Sequence, residues 1–266
     1  MRIIAESSST KSVWALVEDG NIVESVKIEG INPFFQSRRE ISHIIRLGLP
    51  DTFFRRRWEH VDLYCSGCTS VEKKKIVEAS AVAQFKTPVT VESNLLGAAR
   101  GLLGKKSGIV SILDSGSSSC QYDGNGIEKQ VSSLGFILGD EGSGAALGRI
   151  LLSDCLKDVA PKEISDLFYD KYKLTTDEIM DEVYTTNATN KWLSKYASFL
   201  SEHIDNEYVN ALVRGELKRF FVRNILQYDY EKYPVSLVGE IACMYEKELK
   251  EVAAELGVSV EKKKKN

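Results

Sequence analysis

The chain has 266 residues, of which 43% are hydrophobic and 27% charged, and its formal net charge is -3. These values are typical of a globular protein with one large domain or two closely packed lobes, and they exclude a disordered, collagen-like or disulfide-stapled chain. Because the 35 basic and 38 acidic residues are mixed along the sequence, no broad basic surface is predicted and nucleic acid is not expected as a partner.

The first predicted elements are three short strands. An apolar strand at residues 2–5 enters a cluster of small hydroxyl residues, and a second strand follows at residues 13–17. Asp19 and Gly20 are a strong signal for a hairpin turn, and residues 22–28 are the returning strand. This part of the chain is therefore predicted as strand, hydroxyl-rich loop, strand, Asp-Gly turn and strand.

The next segment alternates helices with strands. Apolar periodicity predicts helices at residues 38–47, 71–84 and 95–103, and strands at residues 61–64 and 89–92. Such alternation is typical of a partly parallel sheet that is covered by helices.

The order of the first three strands then recurs. Gly108–Leu113 is an apolar strand, Asp114-Ser-Gly-Ser-Ser-Ser is a small-residue loop, and a strand at residues 120–122 leads into a second Asp-Gly turn. Ile127–Val131 is the returning strand. Two copies of one pattern predict a duplicated fold.

The remaining sequence is predicted to be mainly helical. A helix from residue 142 to about residue 156 precedes helical patterns over residues 162–228. A buried strand at Val235–Val238 meets Gly239, and a further helix is predicted at residues 242–256, with Gly257 as its stop signal. A glycine between a strand and a helix lets the backbone approach a flat or anionic ligand closely.

The two hydroxyl-rich loops are the first functional signal. A loop of Ser, Thr and Gly between two strands can direct several N–H and O–H groups into one concavity, as the oxyanions of a phosphate chain require. For either loop alone the simpler interpretation is a tight hairpin turn, since Ser and Gly are common in turns. The duplication and Gly239 together favour phosphate binding.

The cysteines and the hydropathy indicate the cellular compartment in which the protein is expected. Cys65 and Cys68 form a C-x-x-C pair, but no second pair exists, so a strand running into a turn is favoured over a metal or redox site. Five scattered cysteines suit reduced thiols, and no apolar run approaches the ~20 residues of a membrane span. A cytoplasmic protein with no membrane partner is expected, and the basic clusters at 55–57, 73–75 and 262–265 are interpreted as solvated surface.

Four motifs, in this order along the chain, carry a family resemblance. They are Gly30-Ile-Asn-Pro-Phe34, Leu95-Leu-Gly-Ala-Ala-Arg100, Leu138-Gly-Asp-Glu-Gly-Ser-Gly-Ala-Ala-Leu-Gly148 and Val222-Arg-Asn224. With them the chain resembles, over nearly its whole length, the bacterial N-acetylglucosamine kinase-like proteins of the BadF/BadG/BcrA/BcrD ATPase family, within the sugar kinase, Hsp70 and actin superfamily.

The resemblance implies an α/β, two-lobed actin-like ATPase (ribonuclease H-like) fold, with a duplicated mixed sheet flanked by helices. The expected parts are an N-terminal ATPase lobe at 1–105, a C-terminal ATPase lobe at 106–260 and a lysine-rich disordered tail at 261–266. It also implies that ATP and Mg²⁺ bind in the cleft and that the γ-phosphate is transferred to a hexosamine hydroxyl.

Site residues follow from the resemblance, position by position. The expected nucleotide-binding residues are Ser9, Thr10, Lys11, Ser115, Gly116, Ser117 and Gly239. The expected sugar-binding residues are Asn32, Asn94, Ser118, Asp140 and Glu141, of which Glu141 is expected to orient the sugar-binding turn. Asn94 stands at the general-base position, Asp140 is the second catalytic candidate, and Glu6 is expected to hold Mg²⁺ through water.

Several of these positions depart from the family pattern. Asn94 replaces the Asp expected to act as general base, and an amide cannot take the proton, although it can still accept a hydrogen bond. The other departures are Glu6 for Asp, Ser8 for Gly, Val13 for Asp, Cys65 for Gly, Asp114 for Gly, Ser118 for Asn, and Glu240 where a small residue is usual. Reduced turnover is the expected consequence.

Three functions remain open on the sequence. The first is an ATP-dependent kinase for N-acetylglucosamine or a related hexosamine, with impaired turnover. The second is a catalytically disabled relative that binds a sugar or nucleotide as a sensor. The third, least favoured, is an activator ATPase of the benzoyl-CoA reductase type, because the cysteines do not form the motif that an iron-sulfur cluster needs. A homodimer is left open.

Overall fold

A computed structural model describes residues 1–55, 57–186 and 188–261, and the chain divides into two compact units, Met1–Gly97 and Ala98–Asn266. The division falls inside a helix, Asn94–Leu103, whereas the sequence places the lobe boundary after residue 105; that boundary stays a prediction. Apart from Glu261, the lysine-rich tail lies outside the described residues, as does Arg56 of the first basic cluster.

Unit 1 contains a five-stranded mixed sheet in the order β3-β2-β1-β4-β5. Its strands are β1 (Arg2–Ser7), β2 (Lys11–Glu18), β3 (Asn21–Glu29), β4 (Val61–Cys65) and β5 (Val89–Ser93). The first three are antiparallel, and β4 pairs parallel with both β1 and β5. Asp19 and Gly20 both have positive φ, 50° and 82°, so the turn between β2 and β3 has the backbone that a tight hairpin requires.

Three helices accompany this sheet: α1 (Arg38–Gly48), α2 (Val71–Phe85) and α3 (Asn94–Leu103). A capping box begins α1, in which the Ser37 hydroxyl accepts from Glu40 N while the Glu40 carboxylate accepts from Ser37 N. The core of the unit contains the buried side chains of Trp14, Ile41 and Phe53. Period-two burial along β1 directs one face of the sheet into this core.

Unit 2 repeats the strand order of unit 1. Its strands are β6 (Gly108–Leu113), β7 (Ser117–Tyr122), β8 (Ile127–Val131) and β9 (Val235–Val238), in the order β8-β7-β6-β9. As in unit 1, the first three strands are antiparallel and the fourth pairs parallel with the first. Val260 forms a parallel bridge with Val235 beyond β9. The predicted duplication and the α/β fold class are confirmed.

Nine α-helices in the described part of unit 2, after α3, surround and extend this sheet. They are α4 (Gly135–Leu138), α5 (Gly144–Leu156), α6 (Lys162–Tyr172), α7 (Thr176–Thr185), α8 (Thr189–Ser194), α9 (Ala197–Glu202), α10 (Glu207–Arg223), α11 (Glu240–Met244) and α12 (Glu246–Glu255). Their core includes an aromatic cluster in which Phe168 and Tyr196 have ring centroids 5.4 Å apart. Among the described residues, no helix is both long and apolar enough to cross a bilayer.

Two details of the sequence interpretation are wrong. Ser117 to Ser119 belong to strand β7 and not to the preceding loop, because they pair with β6. The helix expected at residues 242–256 is two helices, α11 and α12, that separate at Tyr245. Tyr245 leaves the helical conformation with ψ 35°, and its buried side chain donates to Ala197 O at 2.5 Å.

Candidate functional site

The first hydroxyl-rich loop joins β1 to β2 and is organised by Ser8. The Ser8 hydroxyl accepts from Thr10 N at 3.2 Å and from Lys11 N at 3.3 Å, and it also lies 3.0 Å from the Thr10 hydroxyl. Ser8 N donates to Lys11 O at 2.9 Å. Ser8 is not among the residues with positive φ, so the side chain at this position causes no left-handed backbone strain.

Asn32 lies in the loop after β3, and both ends of its side-chain amide are held. Its Nδ2 donates to Ser9 Oγ at 2.7 Å, and its Oδ1 accepts from Phe34 N at 3.0 Å. Gly67 packs against this amide, since a Cβ at position 67 would lie 2.2 Å from Asn32 Oδ1. Predicted sugar-binding Asn32 and predicted nucleotide-binding Ser9 are therefore in direct contact.

Asn94 is the half-buried first residue of α3. It follows Ser93, whose hydroxyl accepts from Leu96 N at 3.2 Å and so satisfies one of the free amides at the start of the helix. The residue expected to be the general base therefore lies at the first position of a helix whose start is fixed by Ser93. The group it presents there is an amide, which can bind a hydroxyl without removing its proton.

Glu6 stands directly opposite Val13 in the β1–β2 ladder, and both side chains are exposed. The family pattern places a carboxylate at each of these positions, so this chain retains one of the two. Over the described residues, no group of three or more His, Cys, Asp or Glu is arranged to hold a metal ion. Because Mg²⁺ keeps several waters and takes one or two carboxylates, Glu6 fits a hydrated ion held through water and not a protein cage.

The second hydroxyl-rich loop, between β6 and β7, contacts Asp140. Asp140 Oδ1 accepts from Ser117 N at 3.0 Å, and a Cβ at position 116 would lie 3.0 Å from Asp140 Oδ2. Gly116 therefore allows the carboxylate to lie against the loop. Asp140 itself has φ 57°, a left-handed conformation that Asp tolerates better than most residues, and its carbonyl accepts from Ser143 N at 3.1 Å.

The start of α5 is tied to the same loop. Gly144 N donates to Asp114 O at 2.9 Å and Ala145 N donates to Ser115 O at 3.2 Å, while the Ser143 hydroxyl accepts from Ala146 N. Two amides at the beginning of α5 are thus used to position the loop. Ser118, the remaining predicted sugar-binding residue of this region, is half-buried in β7 and pairs with Ile112.

Asp140 is a buried residue, only 7% exposed. Burial raises its pKa from 3.8 to about 6, the nearby Glu141 charge also raises it, and the hydrogen bond from Ser117 N opposes the increase. A buried carboxyl group with a pKa near neutrality can hold or accept a proton in the range in which an enzyme works. This shift is compatible with the prediction of Asp140 as a catalytic candidate.

Glu141 follows Asp140 in the same turn, and its expected role in orienting that turn stays a prediction. Its buried carboxylate accepts from Arg223 Nε at 2.5 Å and from Asn224 Nδ2 at 3.4 Å, so two of the family motifs are in contact. The next residue, Gly142, donates its N–H to Glu216 Oε1 at 3.2 Å.

Glu216 was missed by the sequence interpretation. Its side chain is buried on the apolar face of α10, together with Val213, Leu217 and Phe220. A carboxylate among apolar residues at helical spacing is costly to bury without a partner. This anomaly is the signal that could have identified it.

Gly239, expected beside the adenosine, lies between β9 and α11 with φ 110°. A Cβ at this position would lie 2.1 Å from Leu113 O at the end of β6. Close packing of two strand ends is sufficient reason for a glycine here. The contact with a nucleotide stays a prediction.

The C-x-x-C pair has the properties of packed thiols. Cys65 and Cys68 are both buried and free, and Cys65 Sγ donates to Ile31 O at 3.2 Å. A hydrogen bond with the Cys68 thiol, together with burial, raises the pKa of Cys65 well above its usual value. Such a thiol carries little of the thiolate that redox or metal chemistry needs.

The two loops fit a phosphate chain unequally. The second loop leaves the N–H groups of Ser115 and Gly116 without a protein acceptor in the described part of the chain, and amides in this arrangement bind oxyanions. In the first loop, the amides of Thr10 and Lys11 already donate to the Ser8 hydroxyl. The second loop can therefore accept an oxyanion as it stands, whereas the first can do so through these amides only if their bonds to Ser8 are exchanged.

Four strands in the same order in each sheet, with a hydroxyl-rich loop after the first of them, define the fold of the actin-like ATPases and sugar kinases. A candidate N-acetylglucosamine kinase from Porphyromonas gingivalis is 34% identical to the chain, with a TM-score of 0.91, over 98% of this chain and 93% of that one. The chain belongs to the family of these N-acetylglucosamine kinase-like proteins, as the motifs predict.

More distant solved structures show the same fold. A candidate N-acetylglucosamine kinase from Chromobacterium violaceum has 18% identity and a TM-score of 0.75, over 93% of this chain and 90% of that one. A ROK family glucokinase from Streptomyces griseus, in complex with glucose and AMPPNP, has 13% identity and a TM-score of 0.57, over 99% and 92% of the two chains. No family model matches the sequence, and no curated protein matches it.

Proposed function

We propose that the protein is a sugar kinase that transfers the γ-phosphate of ATP to a hydroxyl of N-acetylglucosamine or a related hexosamine, with slow turnover. One observation carries this proposal: in each unit a predicted sugar-binding residue is hydrogen-bonded to a predicted phosphate loop. Asn32 contacts Ser9 at 2.7 Å in unit 1, and Asp140 contacts Ser117 at 3.0 Å in unit 2. Phosphoryl transfer requires this neighbourhood of acceptor hydroxyl and phosphate.

Asp140 is the residue that we assign to proton removal. In the proposed reaction the sugar hydroxyl gives its proton to the Asp140 carboxylate as its oxygen bonds to the γ-phosphorus. The bond from that phosphorus to the bridging oxygen breaks, and ADP leaves. The pKa of about 6 makes the ionised, accepting form available above that pH. Asn94 accepts a hydrogen bond from the sugar without taking part in proton transfer.

The finer assignments belong to the same proposal. We place Mg²⁺ beside Glu6 through water, the reaction in the cytoplasm, and the protein in the BadF/BadG/BcrA/BcrD branch of the superfamily. The identity with the Porphyromonas gingivalis protein supports N-acetylglucosamine as the first substrate to test. A homodimer stays open.

The proposal is tested by ADP release with ATP, Mg²⁺ and N-acetylglucosamine, for the unmodified protein, Asn94→Asp, Asn94→Ala and Asp140→Asn. Asn94→Asp restores the carboxylate of the family pattern beside the one at Asp140 and is expected to raise kcat by about 100-fold, the lower end of the range for general-base assistance. Asn94→Ala controls for loss of the amide, and Asp140→Asn is expected to abolish turnover. Absence of turnover with N-acetylglucosamine and related hexosamines in both the unmodified protein and Asn94→Asp would refute kinase activity.

The alternative function is a catalytically disabled sensor that binds a sugar or a nucleotide without turnover. It is favoured by the Ser8 hydroxyl, which holds two amides of the first loop. Calorimetric titration with N-acetylglucosamine and with ATP, combined with the ADP-release assay, separates the two functions, because a sensor binds its ligand but releases no ADP.

A further inference from the structure

The Ser8 hydroxyl occupies the part of the first loop that is expected to hold phosphate. It accepts hydrogen bonds from two consecutive amides, Thr10 N and Lys11 N, and contacts the Thr10 hydroxyl. Ser8 is buried, at 8% exposure, so solvent competes little for these bonds. An anion that binds this loop through the same N–H groups must first displace a hydroxyl that belongs to the chain.

The turn also has a backbone bond that does not involve this hydroxyl, although the hydroxyl itself donates to Lys11 O at 3.2 Å. Ser8 N donates to Lys11 O at 2.9 Å, and this backbone bond closes the loop independently of the side chain. Replacement of Ser8 by Ala or Gly therefore removes the acceptor but retains the turn. The equivalent loop of unit 2 contains no such acceptor for Ser115 N or Gly116 N among the described residues.

We propose that Ser8 sets the nucleotide affinity of the protein by holding the amides of Thr10 and Lys11, so that a nucleoside triphosphate binds more weakly than the loop would otherwise allow. This inference rests on the proposed kinase function, because it assigns the nucleotide phosphates to this loop. Ser8 is a positioning residue: it acts through the amides and does not take part in phosphoryl transfer. Exchange of one net hydrogen bond corresponds to about a tenfold change in affinity.

Calorimetric titration with Mg·ATP tests the proposal on the full chain, as unmodified protein, Ser8→Ala and Ser8→Gly. Both variants are expected to bind Mg·ATP about tenfold more tightly, with affinity for N-acetylglucosamine unchanged within about twofold. Ser70→Ala is the matched control. The Ser70 hydroxyl also accepts from a backbone amide of unit 1, Lys73 N at 3.2 Å, but at the start of α2, so its removal should leave nucleotide affinity unchanged.

Amide hydrogen exchange of the protein without ligand is the second readout. Thr10 and Lys11 are expected to be protected in the unmodified protein and to exchange at least about tenfold faster in Ser8→Ala. A merely structural role for Ser8 would lower thermal stability and would not tighten nucleotide binding.

The outcomes separate this inference from the kinase proposal. Equal or weaker Mg·ATP binding by both variants overturns the role of Ser8 even if the unmodified protein phosphorylates sugar. Unchanged exchange at Thr10 and Lys11 also overturns it. Tighter binding without any sugar phosphorylation supports the role of Ser8 and refutes the kinase. If no form binds Mg·ATP, both proposals fail, and the sugar titration alone decides whether the sensor function stands.

Discussion

Asp140 combines a left-handed backbone conformation, a buried carboxyl group and a hydrogen bond to the second loop. Its titration should make the free energy of unfolding depend on pH. Its pKa is raised from 3.8 to about 6, chiefly by burial. The folded state therefore binds the proton more tightly than the unfolded state. The contribution of protonated Asp140 to the stability of the folded state is fully present below pH 3.8 and is lost as the pH rises through about 6. Above pH 6 the ionised group costs about 3 kcal/mol, from about 2 pKa units at ~1.4 kcal/mol each.

We therefore expect Asp140→Asn to be more stable than the unmodified protein at pH 8, by up to about 3 kcal/mol, and nearly equal to it at pH 4. Urea unfolding between pH 4 and 8 measures the difference. Asp123→Asn is the control with the opposite sign, because hydrogen bonds from Gly126 N and Asn125 N lower the pKa of Asp123. A gain in stability that does not depend on pH would contradict the assigned cause.

Asp140→Asn is thus predicted to gain stability and to lose activity. Such opposite effects are typical of a residue retained for function at a cost to the fold. A purely structural carboxylate would show loss in both measurements.

The Arg223–Glu141 ion pair holds the turn that carries Asp140. Arg223 is exposed whereas the Glu141 side chain is buried, so Arg223→Ala leaves a buried charge with only the weaker bond from Asn224. We expect a loss of about 1–3 kcal/mol in the free energy of unfolding. Lys250→Ala, which breaks an exposed i,i+4 pair with Glu246, should cost at most about 0.5 kcal/mol. Equal losses in urea unfolding would show that burial of Glu141 has no energetic effect.

At the scale of elements, the ends of β6 and β9 depend on Gly239. Gly239→Ala places a Cβ 2.1 Å from Leu113 O on a backbone with φ 110°, so we expect a loss of several kcal/mol or failure to fold. Gly215 is the matched control: it lies inside α10, and a Cβ there meets nothing within 4 Å. Gly215→Ala is expected to stabilise the protein by about 0.5–1 kcal/mol. Thermal unfolding measures both variants, and a harmless Gly239→Ala would mean that the two strand ends can separate freely.

Most elements could be predicted because the hydrophobic periodicity agreed with the positions of turn and capping residues along the chain. β6, β8 and β9 have the predicted bounds, and α1 begins at its predicted residue behind the capping box of Ser37 and Glu40. β7 was misjudged because serines are as common in turns as in strands, and only pairing with β6 decides between them. The break at Tyr245 was also invisible, since it depends on a hydrogen bond to Ala197, a residue distant in sequence.

The site residues were found by family resemblance, and their partners were not. The contact of Asn32 with Ser9 and that of Asp140 with Ser117 join residues that lie 23 positions apart in each case. No local pattern predicts such contacts. The sequence shows Ser8 only as a departure from the family Gly, whereas the structure shows an acceptor for two amides. The difference is a side-chain rotamer, which sequence patterns do not specify.

At the scale of the whole molecule, each unit has its own hydrophobic core. Ile45 is fully buried in unit 1 and Leu217 is fully buried in unit 2. Each change to Ala should remove about 2–5 kcal/mol locally. We expect Ile45→Ala to accelerate amide exchange mainly in β1 and β4, and Leu217→Ala mainly in β6 and α10, as measured by mass spectrometry. Equal acceleration in both units by either variant would mean that they unfold as one cooperative body.

The parallel pairing of β6 with β9 also bears on how unit 2 is made. Helices α4 to α10 lie between these strands in the sequence. Pairing β6 with β9 therefore closes a long loop, and the chain loses conformational entropy before the contacts of the pair can compensate for the loss. On the ribosome, β6 and β7 can pair as soon as they emerge, but β6 keeps an open edge until Val235–Val238 has been synthesised. Unit 2 is therefore the part of the molecule that is most exposed to strand-mediated aggregation during synthesis, and the part for which chaperone binding should last longest.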